Sequence, residues 1–161
     1  MTYDYKRNGT SSLFSAFEVA TGKVIATCLE KHRHLEWLKF LKLIEKSVEP
    51  GKNIHIICDN CATHKHARVK EWLVKNPRIH VHFTPTSASW LNMVERFFRD
   101  ITERCIRRGV FHSVADLEEA ILEYIEIHNE NPKPFIWTAK ASDILEKVKR
   151  AKSSLLNSQS A

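Results

Sequence analysis

Ile54-His55-Ile56-Ile57-Cys58-Asp59-Asn60 is the stretch whose reading decides the fold. Four of its first five residues are apolar, and the run ends abruptly on a carboxylate. Without alternation, such a run reads as a strand covered on both faces. Asp59 then stands where a central strand leaves its sheet, the edge at which ligands and catalytic groups gather in open α/β sheets.

Upstream, residues 13–19 and 24–29 read as two strands joined at Thr21-Gly22, a hairpin. Trp37, Leu41, Ile44 and Val48 recur at helical spacing and predict an amphipathic helix over 34–48, stopped by Pro50-Gly51. Downstream, a basic helix over 65–75 turns Val69, Trp72 and Leu73 inward. Asn76-Pro77 ends it, and 79–83 forms a short strand. Small residues fill 84–89, with Ser89 as N-cap of a helix that runs to Arg108 and stops at Gly109. Ser113 opens another helix, with Asp116 completing a capping box. Its core face is Val114, Leu117, Ile121, Tyr124 and Ile125. Asn131-Pro132-Lys133-Pro134 closes it, a last basic helix covers 142–152, and 153–161 is a serine-rich flexible tail. The order β-β-α-β-α-β-α-α-α describes an α/β domain, a mixed sheet flanked by helices.

The 161 residues suffice for one domain with a substantial core. No run is long enough to span a bilayer, and residues 1–6 lack the apolar centre of a signal peptide, so a cytoplasmic, nucleoid-associated protein is expected. Four cysteines at this length suit a reducing compartment better than a disulfide framework. A net charge of +6 and a pI near 9.2 favour a polyanionic partner. Lys65, Arg68, Lys70, Lys75 and Arg78 cluster against Glu71 alone, and Arg96, Arg99, Arg104, Arg107 and Arg108 follow. Residues 110–130 carry six carboxylates and no Lys or Arg. One basic and one acidic face are expected, as in a protein that orients on nucleic acid.

Magnesium takes oxygen ligands, commonly one or two carboxylates completed by water and phosphate. A pair of such ions about 4 Å apart can activate an attacking oxygen and stabilise a leaving one. Such a site needs acidic groups from separate rigid elements, and Asp59 at a strand end and Glu95 on a helix are candidates. At about 100° per residue, Leu91, Val94, Phe98, Ile101 and Cys105 share one stripe. Glu95 lies at its boundary with Asn92, Arg99 and Thr102. The bland alternatives are a Glu95–Arg99 ion pair at i+4 and an Asp59 that merely caps a turn.

Cys58-Asp59-Asn60-Cys61-Ala62-Thr63-His64-Lys65, followed by His82-Phe83-Thr84-Pro85-Thr86-Ser87-Ala88-Ser89-Trp90-Leu91-Asn92-Met93-Val94-Glu95, resembles the DDE transposases. The branch it looks most like is the bacterial insertion-sequence transposases of the Tc/mariner superfamily. That family shows an Asp-Asn with a His five residues after the Asp, a Thr-Pro loop leading to Trp-Leu-Asn, and a Glu three residues after the Asn. The 36 positions from Asp59 to Glu95 are close to its usual separation of second and third acids. The segments 3–10 and 128–135 are also similar, so the likeness covers about 2–152. It implies a ribonuclease-H-like catalytic domain over 1–152 that uses Mg²⁺ or Mn²⁺ for DNA cleavage and strand transfer. Asp59 and Glu95 become catalytic metal ligands, with His64 in support and Asn60 and Asn92 beside them. Independently of the resemblance, Lys65, Arg68, Arg96 and Arg99 lie near these acids in sequence and are the candidate DNA contacts. The implied partners are terminal inverted repeats and TA target sites, and a homodimer with no membrane association is a separate expectation. The resemblance also implies a first catalytic Asp on a strand upstream of Tyr3, and a helix-turn-helix region before that. This chain is expected to lack both, which leaves activity alone in question.

Two other readings stay open. One is a non-catalytic DNA-binding or regulatory fragment. The other is a zinc or thiol module built on Cys58-x-x-Cys61 with His64 and His66, against which a buried Cys58 thiol is the plainer alternative. His80 and His82 alternate along a strand and should share a surface face.

Overall fold

Short alternating runs on either side of Gly22 make the first unit, an antiparallel hairpin of β1 (Ser12–Phe17) and β2 (Val24–Leu29). The computed structural model describes residues 9–84, 94–134, 136, 142–143, 145–146 and 149–150. Gly22 turns the hairpin at φ +79°, and a Cβ there would lie 2.0 Å from the Lys133 carbonyl oxygen, so only glycine fits. α1 (His34–Ser47) follows, then β3 (Ile54–Cys58), a 3₁₀ turn (Ala62–Lys65), α2 (Ala67–Lys75) and β4 (Ile79–Phe83). β3 and β4 pair in parallel, Ile54 opposite Ile79 and Cys58 opposite Phe83. Next come α3 (Val94–Arg104), a 3₁₀ turn (Ile106–Arg108) and α4 (Val114–Glu130).

Two cores lie on opposite faces of the hairpin. On one face, Phe14 joins Trp37, Phe40, Leu41 and Ile44 of α1, together with Ile54, Cys58, Val69 and Ile79. α1 therefore spans both strand pairs. On the other face, Val24 packs with Phe97 and Ile101 of α3 and Ile121 and Ile125 of α4. The C-terminal end of α4 is tied to the hairpin by side chains. Asn129 accepts from the Val24 N–H and donates to the Val24 carbonyl, both at 2.8 Å, and His128 Nε2 donates to the Gly22 carbonyl. Ser113 caps α4 by accepting from the Asp116 N–H, and its hydroxyl donates to the Asp116 carboxylate.

Four expectations are revised. The β3 run predicted coverage on both faces, yet only Ile54 and Cys58 are buried and Ile57 is 58% exposed. α1 and α2 cover one face, and no described residue covers the other. α3 buries Phe97, which the predicted stripe left out, because Phe17, Tyr124 and His128 surround that ring. The helix ends at Arg104 rather than Arg108, and Gly109 follows the 3₁₀ turn in extended backbone at φ −88°. Arg78, counted in the basic run, is consumed internally. Its guanidinium donates to the carbonyls of Glu45, Val48, Glu49 and Lys52, closing the C-terminal end of α1. The predicted start of the Glu95 helix at Ser89 and the small-residue loop from Pro85 lie outside the described residues, as do 1–8 and the tail 153–161.

Among the described residues, the four strands form two separate two-stranded sheets, β1-β2 and β3-β4. Among the described residues, β1 and β3 each carry one unpaired edge, and both line a single cleft. No helix of the described residues is long and apolar enough to cross a membrane.

Candidate active site

The cleft between β1 and β3 has a volume of about 790 Å³. Trp37, Phe40 and Ile44 of α1 line one side of it, and Val94, Glu95 and Phe98 of α3 contribute to its lining as well. Asp59 lines it from the end of β3.

Asp59 follows the last residue of β3, where the Thr84 N–H donates to the Cys58 carbonyl at 2.8 Å and holds the strand end to β4. The chain then enters the 3₁₀ turn, which brings His64 back. His64 Nδ1 lies 3.0 Å from the Asp59 carbonyl oxygen and 3.4 Å from its carboxylate Oδ1. A carbonyl only accepts, so Nδ1 carries the proton in that bond. The ring is 6% exposed and packs on Trp37 at 4.2 Å between centroids, with His32 edge-on beyond it. The Asp59 side chain is 57% exposed. A buried imidazole thus fixes the backbone of a carboxylate that faces solvent.

Glu95 sits in the first turn of α3, where a negative charge suits the helix dipole. It is exposed rather than half-shielded as the helical pattern implied. Among the described residues no ion pair joins it to Arg99, so the i+4 alternative is not realised. α3 starts against the Phe17 end of β1, whereas Phe14 stacks on His32 toward the Asp59 end. The two carboxylates therefore enter the cleft from different elements and different directions.

As donors, both supply hard oxygen and fit Mg²⁺ or Mn²⁺ in kind. Among the described residues no three His, Cys, Asp or Glu side chains gather as a metal cage. The zinc or thiol reading fares worse. Cys58 is buried, and burial, then the neighbouring Asp59 and Cys61, push its thiol up to about 12. A thiol held so far from its thiolate is the opposite of a redox-active cysteine.

Asn60 is exposed beside Asp59, and Asn92 lies outside the described residues. Lys65 is exposed, its ammonium 5.2 Å from the Phe83 ring centroid. Arg68 lies exposed in the first turn of α2, and Arg96 and Arg99 are exposed on α3. On the open face of β3-β4, His55, His80 and His82 stack together. Two residues of the cleft were not legible as such. Trp37 reads in sequence as ordinary helix core, and Ser15 as an ordinary strand residue. Both line the cleft, and Trp37 Nε1 and Ser15 Oγ are buried without a hydrogen-bond partner among the described residues.

A family model described as "DDE superfamily endonuclease" matches residues 2–118. Among solved structures, the chain is similar to the catalytic core domain of BIV integrase, with a TM-score of 0.56 and 17% identity. That likeness covers 88% of this chain and 89% of the other. At this identity it speaks for the fold alone, and the expected ribonuclease-H-like α/β architecture is borne out. No curated protein sequence matches the chain.

Proposed function

The chain belongs to the DDE superfamily endonucleases, a transposase or integrase type of catalytic domain, and on that premise we propose that it belongs to a DNA transposase of the bacterial insertion-sequence branch of Tc/mariner. The observation that carries this reading is that Asp59 and Glu95, from separate elements, line one cleft. The domain would span 1–152, in a DNA-bound protein of the cytoplasm.

Asp59 and Glu95 would hold Mg²⁺ or Mn²⁺. When bound, the ion supplies Lewis-acid stabilisation of charge on phosphodiester oxygens. The chain's own part is positional. His64 keeps the Asp59 main chain in place, and Asn60 and Asn92 would support the two acids. Lys65, Arg68, Arg96 and Arg99 would hold phosphates so that the scissile bond lies against the acids. The substrates would be terminal inverted repeats and TA target sites, bound by a homodimer. A third carboxylate completes the catalytic set in this reading, and the described residues do not provide it.

Iron-mediated cleavage tests the assignment. Fe²⁺ substitutes for Mg²⁺ at oxygen sites, and with ascorbate it cuts the main chain nearby. Cuts near both 59 and 95, lost together in Asp59→Asn, support the reading. Cuts confined to the His55, His80 and His82 face would overturn it. One other reading is a DNA-binding fragment without catalysis, which the lack of a three-acid cluster among the described residues favours. It predicts DNA binding indifferent to divalent metal.

A further inference from the structure

β3 and β4 pair in parallel with His55 opposite His80 and Ile57 opposite His82. Alternate side chains of a strand share a face, so these four residues all stand on the side away from α1 and α2. The three imidazoles are exposed, and no described residue covers them.

His55 Nδ1 lies 3.0 Å from His82 Nε2 across the two strands. The ring planes are within 20° of each other and the centroids 5.3 Å apart, so the rings meet edge to edge at these nitrogens. The other exposed pair differs. His34 and His66 stack face to face at 3.6 Å and 6°, which leaves their ring nitrogens in parallel planes with no common point. Between His55 and His82 a single hydrogen holds the pair, one ring donating and the other accepting. A metal ion can take its place once the donor ring moves that hydrogen to its other nitrogen, a tautomer change that releases no proton.

Imidazole nitrogens bind such ions at about 2.0–2.1 Å. Two of them on one ion lie about 2.9 Å apart at the right angle of a square site, and about 3.4 Å apart at the tetrahedral angle. The observed 3.0 Å is closer to the square arrangement of Cu²⁺ and Ni²⁺ than to the tetrahedral one of Zn²⁺. Turning both rings outward about their Cα–Cβ bonds brings the lone pairs onto one point, and their exposure leaves them free to turn.

We propose that His55 and His82 form a two-imidazole edge that binds one Ni²⁺ or Cu²⁺ ion, apart from the carboxylates of the cleft. Ligand chemistry separates the two places. Imidazole suits Ni²⁺ and Cu²⁺, whereas Mg²⁺ takes the hard oxygens of groups such as Asp59 and Glu95. Among the described residues no third His, Cys, Asp or Glu completes a cage, so water fills the remaining positions. His80 stacks on His55 at 4.8 Å between centroids and stays beside the pair. A bound ion joins β3 to β4 through side chains as well as main chain, and so stabilises the strand that ends at Asp59. Nothing in this site depends on the function proposed above.

Ni²⁺ is the better probe, because Cu²⁺ oxidises thiols and Cys61 is half-buried at most. The untagged full chain is titrated with Ni²⁺ by calorimetry in excess Mg²⁺, which competes for carboxylates and not for imidazole. One equivalent should bind. His55→Gln and His82→Gln should each weaken binding at least tenfold, and His34→Gln, in the face-to-face stack, less than twofold. Both ligand substitutions fall on exposed side chains, and thermal unfolding in EDTA checks that the variants fold. Ni²⁺ should then raise the melting temperature of the wild type and of neither variant. No Ni²⁺ binding in excess Mg²⁺, or binding that survives both ligand substitutions within twofold, overturns the site. An equal loss in His34→Gln also overturns it, since Ni²⁺ would then be taken up by exposed histidines at large.

Discussion

His64 Nδ1 donates to the main-chain carbonyl of Asp59 at 3.0 Å, from a ring that is almost wholly buried against Trp37. The five-residue spacing between them is closed by a single 3₁₀ turn. His64→Ala leaves that carbonyl without its donor and opens a hole beside Trp37. We expect a loss of about 2–3 kcal/mol in urea unfolding. A Mn²⁺ affinity weakened in His64→Ala at temperatures where it remains folded marks a positioning role, and an unchanged affinity marks a structural one.

Arg78 gives a contrast between structural and DNA-facing cations. Arg78→Met removes the donors that close α1 and should cost about 1–3 kcal/mol of stability. It should leave the salt dependence of DNA binding unchanged. Arg68→Ala should do the reverse, lowering the slope of log K against log salt by about 1 with little effect on stability. Equal slopes in both variants would remove Arg68 from the DNA-facing set.

Arg33 supplies a pH signature at the start of α1. Its guanidinium hydrogen bond holds the Glu36 carboxyl down to about 2, from an ordinary 4.5. A carboxyl depressed in the folded state stabilises it above the unfolded pKa, and that contribution fades as pH falls toward 2. The stability difference between the wild type and Glu36→Gln should be constant above pH 5 and shrink between 4.5 and 2. A difference that is flat across that range would deny the pair its role.

Thiol reactivity separates the cysteines. Burial raises the Cys28, Cys58 and Cys105 thiols, Cys58 the furthest. Alkylation of the folded chain at pH 8, read by mass spectrometry, should modify Cys61 first and Cys58 last. Rapid alkylation at Cys58 would reopen the thiol reading.

Local elements were readable because their signals are local. The alternation at 79–83 and the Ser113–Asp116 cap are written within a few residues, and the structure reproduces both. What lay hidden depends on distant partners. Phe97 and Phe98 are equally apolar in sequence, and only Phe17 and Tyr124 select Phe97 for the core. The run 54–58 promised coverage on both faces because periodicity reports side chains and not what lies opposite them. Arg78 counted as surface charge because nothing nearby reveals that the end of α1 reaches it. The division of the sheet was invisible for the same reason, since strand adjacency leaves no mark on periodicity. Asp59 and Glu95 stood out through motif and spacing, whereas Trp37 and Ser15 acquire meaning only beside a cleft.

The central claim is that Asp59 and Glu95 serve one divalent ion site. A Mn²⁺ titration followed by electron paramagnetic resonance on the wild type, Asp59→Asn, Glu95→Gln and the double variant measures it directly. If both acids hold the same site, the double variant loses no more affinity than the worse single one, a coupling that independent sites cannot show. Losses that add, or a titration unchanged in all three variants, would contradict it.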